Sequence, residues 1–148
     1  MKQSAIIMVV LAMSLFACAQ TPPKAVTDNF SSKFSAATKV KWDQEEENEW
    51  EAEFKMNGSE MSASFDNAGT WLETEKEIKK RDLPAAVSKA ISEKYAGYDV
   101  DEVAEIQKPG FSGYEIGLEK GEEMLEIQVN PNGTIAQVKK VEEEDDED

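Results

Sequence analysis

The feature that most constrains this chain is that it nearly repeats itself. Pro23-Lys24-Ala25-Val26 matches Pro84-Ala85-Ala86-Val87 at an offset of 61, and Phe30 and Phe34 then fall on Ile91 and Tyr95. From Val40 onward the offset becomes 64: Trp50, Ala52 and Phe54 align with Tyr114, Ile116 and Leu118, and Met61, Ala63 and Phe65 with Leu125, Ile127 and Val129. Self-similarity at a fixed spacing means one supersecondary unit used twice, each copy needing its own buried face.

Periodicity identifies the elements. Val26, Phe30 and Phe34 recur every four residues, as do Leu83, Val87, Ile91 and Tyr95, so each copy opens with a helix carrying one apolar stripe, read as core packing. Asp82 before Leu83-Pro84, and Thr21 before Pro22-Pro23, are expected to cap the free amides of these helices, and Gly97 to stop the second. In the runs that follow, apolar residues alternate with acids such as Glu49, Glu51 and Glu53, the pattern of strands with one buried and one wet face.

Asn57-Gly58 is a two-residue hairpin signal, because both positions must tolerate positive φ. Asp66-Asn67-Ala68-Gly69-Thr70 aligns with Asn130-Pro131-Asn132-Gly133-Thr134, giving each copy a second turn. Strands are expected near 38 to 43, 48 to 56, 60 to 66, 70 to 76, 100 to 107, 113 to 120, 123 to 130 and 134 to 141. Trp71 and Leu72 are adjacent and cannot both face a core in a regular strand. The fold class is α+β: two tandem helix-plus-four-strand repeats forming a largely antiparallel sheet with helices on one face.

Ahead of the repeats stand Lys2, an apolar stretch from about Ala5 to Phe16, and small residues at Ala17, Cys18 and Ala19. This is the layout of a secretory signal peptide over residues 1–19, and Gln20-Thr21-Pro22-Pro23-Lys24 ends the apolar run too early for a membrane span. Two processing routes fit: cleavage before Gln20, or lipidation of Cys18, since Leu15-Phe16-Ala17-Cys18 resembles a lipobox, although Phe16 is bulky for one. Cys18 is the only cysteine, so an intramolecular disulfide and a cysteine-rich zinc site are both excluded. The expected organisation is one domain over 20–141, with repeat one at about 21–78 and repeat two at about 82–141, and a disordered acidic tail at 142–148.

Charge narrows the partners. The chain has 31 acids against 16 bases, seven of the acids in the run Glu142 to Asp148. Without that run and Lys2, 24 acids still face 15 bases, so nucleic acid is excluded as a partner for want of basic patches. Lys79-Lys80-Arg81 is the single basic cluster and reads as a solvated linker. The membrane is expected as a partner only through an anchor at Cys18.

The ordered segments Lys33-Phe34, Val40-Lys41-Trp42, Trp50-Glu51-Ala52-Glu53-Phe54, Ser64-Phe65-Asp66, Gly69-Thr70-Trp71-Leu72-Glu73-Thr74-Glu75 and Leu83-Pro84-Ala85-Ala86-Val87 resemble the PepSY-like domain proteins. These are exported proteins common in Bacteroidetes, with a fold like the β-lactamase-inhibitor protein. The resemblance covers nearly all of the mature chain, implies no catalytic residues, and brings in members that have been called calcium-regulated periplasmic proteins. A tyrosine is commoner at the position of Trp50, and the acidic tail is additional.

The absence of histidine removes triads with a histidine base and the commonest metal ligand. Paired carboxylates can perform acid and base chemistry, but acids are abundant enough here to be neighbours by chance, and no enzyme is expected. Calcium is the candidate cofactor: Asp43, Glu45, Glu46, Glu47 and Glu49 crowd the first hairpin, and Asp99, Asp101 and Glu102 open the second sheet, although none has EF-hand spacing. The expected function is a non-catalytic envelope module that engages or inhibits another envelope protein, with Trp71 and Tyr114 as candidate anchors; the alternative is a calcium-responsive periplasmic protein.

Overall fold

The computed structural model describes residues 21–141, so the expected signal peptide with Cys18 and the expected acidic tail 142–148 lie outside the described residues. The order is α1 (Lys24–Lys33), β1 (Thr38–Glu46), β2 (Glu49–Met56), β3 (Ser59–Asp66), β4 (Trp71–Glu77), then α2 (Ala85–Lys94), β5 (Asp99–Lys108), β6 (Phe111–Lys120), β7 (Glu123–Val129) and β8 (Ile135–Val141). The strands are ordered β1 to β8 as in the chain. Among the described residues, packing separates one compact unit of 21–77 with 106–111 from another of 78–105 with 112–141. No helix among the described residues is long and apolar enough to cross a membrane.

In the first unit, α1 is ten residues long, too short to hold together in water alone, so its helicity rests on packing. It buries Val26 and Phe30 and delivers Phe34 just past its end against Trp50, Ala52, Phe54, Ala63 and Phe65. The core is aromatic: the Phe30 ring meets Phe34, Trp42, Phe54 and Phe65 at centroid distances of 5.3, 5.1, 5.1 and 6.2 Å. The last three contacts are edge-on, which sets the positive rim of one ring against the negative face of another.

Neither helix uses the expected side-chain cap. Pro23 and Pro84 occupy the N-cap positions with no side-chain cap hydrogen bond. Proline fixes φ and holds its predecessor extended, so each chain enters its helix directly from the ring. The Pro84 carbonyl accepts from the Val87 and Ser88 amides at 3.0 Å each, while Asp82 closes a short 3-10 turn upstream.

Two irregularities shape the first unit. β1 runs to Glu46 and slips register against β2 between Thr38 and Lys41 and between Gln44 and Glu46, bulges that bend an edge strand. On β4, Phe65 faces Trp71 and Ser64 faces Glu73, leaving Leu72 as the extra residue. That bulge lets Trp71 pack on the core although Leu72 is its neighbour. The Trp71 indole donates to Thr74 Oγ1 at 2.8 Å, and Lys33 Nζ sits 4.0 Å from its ring centroid.

The second unit is built on branched aliphatic residues. Leu83, Val87 and Ile91 pack against Val103, Ile116, Leu118, Ile127 and Val129. In both units a glycine in the turn before the last strand touches the helix backbone: a Cβ on Gly69 would stand 2.5 Å from Ala25 O, and one on Gly133 2.5 Å from Ala86 O. The turns match as well, with Gly69 N donating to Asp66 O and Gly133 N to Asn130 O, each at 2.8 Å.

Candidate functional site

Alternation along β2 puts Trp50, Ala52 and Phe54 into the core and turns Glu49, Glu51 and Glu53 to the face away from α1. Register extends that acidic face across its neighbours. Asp43 and Lys41 of β1 lie opposite Glu51 and Glu53, and Ser64 and Ser62 of β3 lie opposite the same two residues. On β4, Glu73 and Glu75 face Ser64 and Ser62, and Lys108 Nζ comes within 3.8 Å of Glu73.

Glu51 is the electrostatic centre of this surface. Partial burial strips water from its carboxyl and pushes its pKa up to about 7, against a lowering hydrogen bond from Ser62 and with further raising from Glu45 and Glu53. Burial also raises Glu45, which hydrogen-bonds to Glu51 and feels Asp43, Glu49 and Glu53. Two carboxyls in contact cannot both ionise cheaply, so Glu51 keeps its proton to a higher pH than an isolated carboxyl would. At the aligned position of the second unit, Glu115 instead accepts from the buried Gln128 Nε2 at 2.9 Å.

The sequence candidates are scattered more than their spacing suggested. Asp43, Glu45 and Glu46 lie on β1, Glu47 in the turn, and Glu49 at the start of β2 opposite Glu46. Asp43, Glu46 and Glu47 are exposed, and Glu45 joins Glu51 rather than its chain neighbours. Asp99, Asp101 and Glu102 lie on β5. Among the described residues, no group of three or more potential metal-ligating side chains is gathered. Asp66 is spent locally: its Oδ1 accepts from the Ala68 and Thr70 amides at 2.9 and 2.8 Å, which lowers its pKa. Trp71 and Tyr114 are both half-buried against their units' cores.

The residues missed from sequence are Glu51 and Ser62. Their signal was positional: Glu51 sits at the middle of a strand with neighbours on both sides, so its wet-face carboxyl is surrounded, whereas acids at a hairpin tip project into water. A shallow groove beside α2 is lined by Leu83, Ile91, Tyr95, Tyr98, Val100 and Lys80. Tyr98 is already engaged, donating to Glu123 Oε2 at 2.7 Å.

A family model described as "Putative beta-lactamase-inhibitor-like, PepSY-like" matches residues 48–137. Among solved structures, a BLIP-like protein from Bacteroides fragilis is 27% identical with a TM-score of 0.73, covering 87% of this chain and 93% of its own. A DUF2874 family protein from Bacteroides ovatus, 24% identical, shares the fold with a TM-score of 0.74 over 86% of this chain and 93% of its own. So does a chain from Bacteroides eggerthii described among "putative periplasmic proteins", 21% identical with a TM-score of 0.71 over 82% and 90%. No curated protein matches the chain.

Proposed function

The chain belongs to the PepSY-like family, and from that premise we propose that it is an exported, non-catalytic envelope module that engages another envelope protein through the acidic face of its first unit. The observation that carries this reading is the carboxylate surface of β1 to β4, in which Glu51 and Glu45 are held close enough to hydrogen-bond. A face that must retain a proton to remain comfortable gains when a lysine or arginine of a partner neutralises it, so the fitting partner is basic. The absence of histidine supports a binding role over a catalytic one. The matching turns beneath α1 and α2 support reading the units as two copies of one helix-plus-four-strand repeat. The periplasmic description of the Bacteroides eggerthii relative supports export, with either cleavage before Gln20 or a lipid on Cys18; the mass of the mature chain distinguishes these.

The test is capture from envelope extracts with the wild-type chain and with a Glu49→Gln, Glu51→Gln, Glu53→Gln variant. The reading expects a basic partner retained by wild type, retained after removal of 142–148, and lost with the triple variant. Identical captures by wild type and variant overturn it. A second reading, a calcium-responsive protein, draws on the same Glu45–Glu51 pair, where a divalent cation could replace the retained proton. Calorimetric titration with calcium, with and without residues 142–148, expects saturable heat that survives tail removal; heat lost with the tail sinks that reading.

A further inference from the structure

The chain contains two Asn-Gly pairs, Asn57-Gly58 in the β2–β3 hairpin and Asn132-Gly133 in the turn before β8. They are the same dipeptide in opposite surroundings. Asn57 and Gly58 form the whole two-residue loop between the paired residues Met56 and Ser59, with φ of 53° and 82°. Both are exposed, the Asn57 side chain has no hydrogen-bond partner among the described residues, and a Cβ built on Gly58 meets nothing within 4 Å.

Asn132-Gly133 is fastened at every atom that matters. Gly133 N donates to Asn130 O at 2.8 Å, Asn132 Oδ1 accepts from Thr134 N at 3.0 Å, and Gly133 is pressed against the Ala86 carbonyl of α2.

We propose that Asn57 is a site of spontaneous covalent modification through a succinimide, and that Asn132, with the same sequence, is protected by its turn. The Gly58 backbone nitrogen attacks the Asn57 side-chain carbonyl carbon; a C–N bond forms, the Asn57 C–N bond breaks, and ammonia leaves with the Gly58 amide proton. Water then opens the five-membered ring at one carbonyl or the other, leaving aspartate or isoaspartate at 57. Ammonia is exchanged for water, with no oxidation or reduction. The attack needs a following residue without a side chain, a side-chain amide free to turn, and a backbone nitrogen free to swing toward it. Position 57 has all three, while position 132 has only the first.

The consequence falls on register. Isoaspartate routes the main chain through the side-chain carbon, lengthening a two-residue loop whose φ values fix how β2 and β3 pair. Either product also adds a negative charge beside Lys55, which is ion-paired to Glu60 across the same hairpin.

The experiment incubates the full chain at mildly alkaline pH and follows residues 57 and 132 by fragment-ion mass spectrometry of tryptic peptides 56–76 and 121–139, in buffer and in denaturing urea. Each hydrogen bond that must open lowers the reactive population by a factor of about five, so folded Asn57 should convert at least about tenfold faster than folded Asn132. In urea the two rates should converge to within about twofold, because the dipeptides are identical once the turns are gone. Equal rates in the folded chain, or a difference that persists in urea, overturn the proposal.

Discussion

The two units place their helices and turns alike but fill their cores differently, and the difference shows which parts of a sequence carry a fold. The first packs five aromatic side chains, Phe30, Phe34, Trp50, Phe54 and Phe65, around α1; the second packs Leu83, Val87, Ile91, Val103, Ile116, Leu118, Ile127 and Val129 around α2. Spacing of apolar positions is common to both, while side-chain identity is not. On the opposite face the contrast is electrostatic, with Glu51 set against Glu45 in one unit and Glu115 accepting from Gln128 in the other.

The aromatic core offers the sharpest way to break this comparison. Phe30 and Ile91 occupy matching helix positions at 5% and 6% exposure. Phe30→Ala should cost about 4 kcal/mol and Ile91→Ala about 3 kcal/mol, measured by chemical denaturation, the excess at Phe30 reflecting its four ring contacts. Equal losses would mean that ring geometry adds nothing beyond volume.

The shared turn comes next. Gly69→Ala and Gly133→Ala should each cost about 3 kcal/mol, from strain at positive φ and from a methyl driven into a helix carbonyl. Gly58→Ala, at φ of 82° with open space around it, should cost only about 1 kcal/mol. If Gly69→Ala is no worse than Gly58→Ala, helix and turn are less tightly joined than the contact implies.

The smallest effect sharpens the electrostatic contrast. With Glu51 raised from 4.5 to about 7, the native state holds more protons than the unfolded chain between those values. Stability therefore falls as pH rises through that window and levels off above it, by about 2 kcal/mol after allowance for partial exposure. Glu51→Gln should flatten the profile of denaturation midpoint against pH; a slope that survives the substitution places the proton elsewhere.

Much of this architecture was legible in the residues. All eight strands fall where alternation and turn chemistry put them, because period two, Asn57-Gly58 and the two Gly-Thr turns all constrain the same pairings. Three things were not legible. The cap expected from Asp82 gave way to Pro84, whose fixed φ starts α2 without help. The facing of Trp71 depends on a bulge at Leu72, and a bulge is set by the partner strand rather than by the local pattern. The Glu45–Glu51 pair was hidden because acids look equivalent along a strand until register brings two of them together.

One further property follows from how the aromatic residues are distributed. All three tryptophans, Trp42, Trp50 and Trp71, pack on the first core, while Tyr95, Tyr98 and Tyr114, the only tyrosines, pack on the second. Each half of the chain therefore carries its own chromophore. Indole emission excited to the red of the phenol band reports the first half alone, so the unmodified protein carries a built-in probe of whether that half unfolds with the rest of the chain or in turn.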